Sequence, residues 1–400
     1  MPEINQMSEI LPTEAEKAFI KQHLADDVRA LALKIKPAGG LRIQYVLQQI
    51  AGYQAMRKKM PQWADTGGIL YPVHLSIEQC SSAETAQYKA RILERICNRI
   101  ENFADLTSGF GVDFYVMSES ADHAFYIERN GELCQIAEHN FSVLGRRNFK
   151  VLNHDGVDFI RQTDMHFSCI FLDPARRDSH GGKTFHIEDC EPNIVDFQDI
   201  LMQKADYAII KLSPMLDISE CMLKLRNVSE IHIVAAGNEC KEMLVVISGK
   251  DAVSCPKIFA KNDGQILEFT RATEGSAPYR IAGAVEPGMY LYEPNAAIMK
   301  AGAYRTLSER FDIEKIHTIS HLYVSGELVD DFPGRRFQIV RLGSPKDFRG
   351  LKKANIAVRN YPMKPDELRK KMKLQDGGGV YLFATTISGG KKVVIECRKV

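Results

Sequence analysis

The chain has no C-x-x-C pair. Its nine cysteines stand singly, several of them inside apolar runs, as reduced core thiols do, which argues against structural zinc, a disulfide framework and any metal site. No apolar run approaches the roughly 18 to 20 residues of a membrane span. The opening MPEINQMSEILPTEAEKAF also lacks the basic segment followed by an apolar one that marks a secretory leader. Low-complexity segments and internal repeats are missing too. What remains is the expectation of a cytoplasmic enzyme or binding protein with no membrane partner and no metal.

What is present is ordinary in bulk and uneven in detail. At 400 residues the chain exceeds what one hydrophobic core usually serves, so two or three domains are expected. Hydrophobic residues at 45% and charged residues at 26% fit a globular protein. The formal charge of +1 hides an asymmetry: from Arg335 onward, Lys and Arg outnumber Asp and Glu by roughly ten, which points to a polyanion partner.

From about residue 12 to 64 the pattern is helical. In TEAEKAFIKQHLADDVRALALKIK, residues Phe19, Ile20, Leu24, Val28, Leu31 and Leu33 recur near a 3.6-residue period, and Thr13 with Glu16 forms a capping-box signature. Between about 75 and 249 the texture changes to short apolar runs: FADL, AFYIE, FKVLN, CIFLD, YAIIKL, EIHIVAA and MLVVIS. Runs of this length, alternating with helix-sized spacers, predict strands buried on both faces of a parallel, doubly wound sheet. The spacer after Ala236 is too short for a crossover helix, so the last strand is expected to return antiparallel. Beyond residue 250 the alternation gives way to small mixed α+β units. The last of these contains a basic helix, LRKKMKL, and a hairpin with a glycine-rich turn.

Three strand ends carry acidic residues. FADLTSGFGVDF places Asp105 at the end of a strand, then Gly109 and Gly111 in a turn opening into a helix. Glycine serves where backbone must approach a ligand or adopt positive φ, and open α/β sheets bind ligands at their carboxyl edge. The third glycine of a dinucleotide fingerprint is replaced by Phe114, so a pyrophosphate is disfavoured. Glu128 ends the next strand, where a carboxylate can accept from both ribose hydroxyls, and Asp155 follows the third strand, where an adenine amine would lie. The fourth strand runs into LDPARRD. A polar helix face is the preferred account of Glu84, Thr85 and Lys89 over a ligand role.

These residues resemble the motifs of class I S-adenosylmethionine-dependent methyltransferases, with Asp105, Gly109 and Gly111 in matching places and Thr107 where a first glycine is usual; Glu128, Asp155 and DPAR follow in order. SIEQCSSAETAQYKARI, DLTSGFGVD, LDPARRD, EDCEPNI, KLSPMLD, YLYEPNAAIMKAGA and VRNYPMKPDELRKKMKLQDGGGVYLFAT further resemble a bacterial family of methyltransferases with a THUMP-like domain. The resemblance implies an N-terminal helical region (1–74), a Rossmann-like seven-stranded methyltransferase domain (75–250), a ferredoxin-like unit (255–330) and a basic THUMP-like unit (331–400). It implies S-adenosylmethionine as cofactor, held by Asp105, Thr107, Gly109, Gly111, Glu128 and Asp155.

Asp173 and Pro174 match the start of the D/N-P-P-aromatic motif of nucleic-acid amino-methyltransferases, but Ala175 and Arg176 replace its proline and aromatic residue. An arginine plane can also stack on a base. The resemblance to D-P-P-R of 5-methyluridine enzymes lacks the required thiol, since the fifth strand ends in Leu212 and Ser213. The expectation is transfer to a base nitrogen of a structured RNA, transfer or ribosomal, with Asp173, Pro174, Arg176 and Lys211 at the reacting centre. Arg176, Arg177, Arg335, Arg336, Lys352, Lys353, Arg369, Lys370 and Lys371 are the expected RNA contacts. Two alternatives stay open: a catalytically silent RNA-binding protein, and a small-molecule methyltransferase.

Overall fold

The computed structural model describes residues 10–35, 40–176, 186–250 and 254–400, and these fall into two compact units. The first comprises residues 1–228 and 245–253, and the second residues 229–244 and 254–400.

The first unit begins with helices α1 (Glu14–His23), α2 (Val28–Lys34), α3 (Ile43–Lys59), α4 (Pro61–Asp65), α5 (His74–Gln79) and α6 (Ala83–Ile96). Thr13 and Glu16 form the expected capping box. Glu16 is fully buried and also accepts from the Arg42 guanidinium at 2.7 and 2.9 Å. The continuous apolar period read through residues 13–36 does not hold: Asp27 caps a new helix, accepting from Ala30 N, and the restart changes the phase. Leu31 is buried as a result, whereas Leu33 is left 90% exposed.

Strands β1 (Ile100–Asp105), β2 (Ala121–Glu128), β3 (Phe149–Asn153), β4 (Phe167–Leu172) and β5 (Ala205–Leu212) alternate with α7 (Val112–Met117), α8 (Gly131–Val143), α9 (Gly156–Gln162) and α10 (Ile194–Lys204). Their pairings are parallel, β1 with β2 and β4, β2 with β3, and β4 with β5. Apart from Ser168, β4 is buried throughout, as its unbroken apolar run requires. A further helix, α11 (Ile218–Lys224), leads to β6 (Val228–Ala236), and Gly237 and Asn238 then join β6 to β7 (Glu239–Ser248). Both turn residues have positive φ, 58° and 63°, the two-residue geometry that returns a chain antiparallel. In hydrogen-bonded order these strands run β7-β5-β4-β1-β2-β3.

An aromatic core fixes the end of this sheet where β1 stops. Trp63 is fully buried and meets Phe110, Tyr115 and Phe141 edge-on at 5.3, 5.4 and 6.3 Å. Asn140 exchanges two hydrogen bonds with the Leu70 backbone, tying the N-terminal helices to α8. The position of the missing third glycine, Phe114, stacks on Phe141 in this core.

In the second unit, β8 (Lys257–Asn262) pairs parallel with β6 and antiparallel with β9 (Gln265–Thr270). Thus residues 257–270, assigned by the sequence to the ferredoxin-like unit, add strands beside β6. A second, seven-stranded sheet comprises β10 (Tyr290–Pro294), β11 (Glu314–Lys315), β12 (Tyr323–Ser325), β13 (Gly334–Gly343), β14 (Asn355–Arg359), β15 (Val380–Thr386) and β16 (Lys392–Lys399). Its order is β11-β12-β10-β13-β16-β15-β14. Helices α12 (Arg271–Ser276), α13 (Ala296–Ala301), α14 (Tyr304–Arg310) and α15 (Pro365–Met372) complete the unit. The core of this sheet includes Leu291, Phe337, Phe383 and Ile395, drawn from both halves of its sequence. No helix among the described residues is long and apolar enough to cross a membrane.

Candidate functional site

The turn after β1 is built from its own side chains. Asp105 is fully buried; Oδ1 accepts from Thr107 N at 3.0 Å, and Oδ2 has no partner among the described residues. Burial pushes this carboxyl well above its ordinary range, despite the Thr107 bond, and the charges of Asp113, Asp173 and Glu128 push the same way. Ser108 Oγ donates to Asp105 O and accepts from Ile127 N, so the turn is pinned to β2. Gly109 and Gly111 both have positive φ, 55° and 87°. A Cβ on Gly111 would lie 2.7 Å from Phe141, which accounts for that glycine by packing; at Gly109 the space is open apart from Thr107 O at 3.9 Å. Open space at a glycine is what a ligand needs for close approach to backbone.

Thr107, which replaces the usual glycine, has a definite task. Its Oγ1 accepts from Asp173 N at 2.6 Å and so ties the turn after β1 to the corner after β4. That corner consists of Asp173, buried Pro174 and Ala175–Arg176, whose backbone pairs antiparallel with Cys190–Glu191. Arg177 and the side chain of Arg176 lie outside the described residues.

The structure brings Glu128 to this turn: Oε2 accepts from Gly109 N at 3.0 Å and Oε1 from Asn130 N at 2.9 Å. Each oxygen keeps a lone pair for another donor, such as a ribose hydroxyl. Asp155 caps α9, with Oδ1 accepting from Val157 N and Asp158 N at 2.9 and 3.1 Å, and is exposed at the same sheet edge. The two turns press together there, for a Cβ on Gly156 would lie 2.2 Å from Leu106 O.

Asp113 went unrecognised in the sequence, and the polar helix face read for Thr85 and Lys89 is corrected, since both are buried. Lys211 Nζ sits 2.6 Å from Asp173 Oδ2 and 3.7 Å from Asp113 Oδ2. Asp113 also takes Ser81 Oγ at 2.7 Å and Lys89 Nζ at 3.2 Å, and Lys89 is fully buried. Burial alone would push the Asp113 carboxyl up, but Lys89, Lys211 and Ser81 together hold it below the ordinary range. The available signal was a charge inside an apolar stripe: α6 buries Thr85, Ala86, Tyr88, Ile92 and Leu93 around Lys89, and Asp113 stands between buried Val112 and Phe114.

In the second unit the basic residues divide. Arg335 donates twice to the buried Glu293, whose other oxygen accepts from Arg359 at 2.8 Å. Arg336 pairs with Asp330, and Arg369 with Asp366 and Asp376. Lys352, Lys353, Lys370 and Lys371 are exposed and have no ion-pair partner among the described residues. No group of His, Cys, Asp and Glu able to hold a metal occurs among the described residues.

The strand order 3-2-1-4-5-7, followed by the β6–β7 hairpin, and the glycine turn bounded by strand-end carboxylates define a class I methyltransferase. The comparisons agree. A ferredoxin-like domain model matches residues 290–333 and a THUMP domain-like model residues 334–399. A solved "putative methyltransferase" from Porphyromonas gingivalis W83 shares 32% identity over 98% of both chains, with a TM-score of 0.86. An "uncharacterized S-adenosylmethionine-dependent methyltransferase" of Mycobacterium tuberculosis is 23% identical over 328 residues, 79% of this chain and 84% of that protein. An "uncharacterized RNA methyltransferase" of Mycoplasma mobile matches 28% of this chain and 30% of its own length at 26% identity. The chain belongs to the S-adenosylmethionine-dependent methyltransferases that carry ferredoxin-like and THUMP-like units. Its cofactor is S-adenosylmethionine.

Proposed function

We propose that this methyltransferase modifies a base nitrogen of a structured RNA, a transfer or ribosomal RNA, in the cytoplasm. The observation that carries the reading is the juncture of Asp173 and Thr107: the 2.6 Å bond between them sets the Asp-Pro corner against the turn that begins at Asp105. Asp105, Gly109, Gly111, Glu128 and Asp155 would hold the cofactor. The unpartnered, buried Asp105 Oδ2 suits a cationic amine, and the spare lone pairs of Glu128 suit a ribose diol. Bound there, S-adenosylmethionine supplies a methyl group already activated by its sulfonium.

Asp173 would accept a hydrogen bond from the target amine through Oδ1, which has no partner among the described residues, and so align the nitrogen for attack. The exposed lysines 352, 353, 370 and 371 would supply RNA affinity, a role supported by the THUMP-like match and the RNA methyltransferase relative. A reducing compartment suits nine cysteines that form no disulfide among the described residues.

The test is transfer of tritium from methyl-labelled S-adenosylmethionine into total RNA from cells lacking the gene, with mass spectrometry of the nucleosides. Label in one methylated base is expected. Changing the four lysines to Gln is expected to weaken RNA binding at least tenfold while S-adenosylhomocysteine affinity stays unchanged. Unlabelled RNA alongside intact cofactor binding would refute the substrate.

A further inference from the structure

Four charges alternate in sign from the interior of the first unit to the mouth of the candidate site: Lys89, Asp113, Lys211 and Asp173. Lys89 and Asp113 are 3.2 Å apart, Asp113 and Lys211 3.7 Å, and Lys211 and Asp173 2.6 Å. Exposure rises along the row, from 0% for the Lys89 side chain to 13% for Lys211 and 39% for Asp173. Desolvating such groups is costly, and apolar side chains of similar volume often stabilise a fold as well or better. Stability is therefore a weak reason for the row, and its outer end lies on the carboxylate assigned to the acceptor.

We propose that Lys89 and Asp113 are positioning residues for methyl transfer: they hold Lys211 on Asp173, which turns Oδ1 toward the acceptor and cancels the carboxylate's charge beside a bound sulfonium. The inference rests on the cofactor placement proposed above. Without Lys211, Asp173 is a bare carboxylate that pairs with a cationic ligand instead of orienting the acceptor. The buried pair matters because the Lys211 ammonium, free of Asp113, can swing toward water.

The test compares two cofactor analogues on the full-length protein by isothermal titration. Sinefungin carries an ammonium in the region of the sulfonium methyl, whereas S-adenosylhomocysteine is an uncharged thioether at sulfur. Lys211→Met leaves Asp113 with Lys89 and Ser81, so the fold is kept, and it is expected to raise sinefungin affinity relative to S-adenosylhomocysteine about tenfold, as unmasking a nearby charge does. The double variant Lys89→Met/Asp113→Asn removes both buried charges together and is expected to raise the ratio about threefold, through a less firmly held Lys211.

A purely structural role weakens both ligands in step and leaves the ratio unchanged. A ratio within about twofold of wild type in Lys211→Met, with S-adenosylhomocysteine still bound, overturns the inference. An unchanged ratio in the double variant, or its failure to fold, assigns the buried pair to stability and overturns its positioning role. Failure of the wild-type protein to bind S-adenosylhomocysteine would instead overturn the cofactor placement, and this inference with it.

Discussion

Replacing Asp105 with Asn tests whether a buried charge has been kept at the expense of stability. The wild-type carboxyl is fully buried, Oδ2 has no partner among the described residues, and burial raises its pKa well above the ordinary 3.8. The sign follows from linkage: a carboxyl that holds its proton more tightly when folded contributes stability below pH 3.8, and loses it as pH rises toward the folded value. Asn keeps the shape and the bond from Thr107 N but never ionises. Its amide remains unsatisfied, which returns part of the gain, so the net stabilisation expected at pH 8 is about 1 kcal/mol. Cofactor affinity should move the other way, because a charge-assisted hydrogen bond contributes about 1.5–3 kcal/mol, or roughly ten- to a hundredfold. Urea unfolding at pH 5 and pH 8, with titration of S-adenosylmethionine at both, reads the two effects together. A variant less stable than wild type at pH 8, with unchanged cofactor affinity, would refute the reasoning.

Three further outcomes follow from the geometry. Gly156→Ala puts a methyl group 2.2 Å from Leu106 O, where backbone must move, so a loss of about 2–3 kcal/mol by denaturant unfolding is expected together with weaker cofactor binding. Glu16→Gln removes a buried carboxylate whose Arg42 partner helps hold its pKa at about 2; urea unfolding should show a loss of roughly 2 kcal/mol at pH 7, shrinking below pH 4.5 toward pH 2 as the wild-type carboxylate is protonated. Burial, then Lys315 and Arg359, lowers His321 from 6.5 to about 4, so the second unit should lose stability as pH falls through that window. His321→Asn, which tolerates the φ of 49°, should flatten the slope measured by thermal melting at pH 4, 5 and 7.

The sheet was legible because burial on both faces leaves unbroken apolar runs: FKVLN reproduces β3 from end to end, and the short link after Ala236 became the Gly237–Asn238 turn. The α1–α2 break was obscured, since the apolar residues continue past Asp27 while the helix restarts. At the site, strand-end carboxylates could be found in order, but not what they already hold. Glu128 binds the glycine turn and Asp155 caps a helix, contacts that depend on loop shape rather than residue type. Asp113 escaped notice and Lys89 was read as part of a polar face because a charge on a helix reads as solvent-facing. Only the apolar neighbours on the same face mark them as enclosed.

The clasp of Arg335 and Arg359 on Glu293 changes what the basic C-terminal region can do in salt. A guanidinium that is neutralised internally has few counterions to release to a polyanion. With Lys352, Lys353, Lys370 and Lys371 as the phosphate contacts, the plot of log affinity against log salt concentration for RNA should have a slope of about −3 to −4. A count of every Lys and Arg in this region would predict a much steeper line.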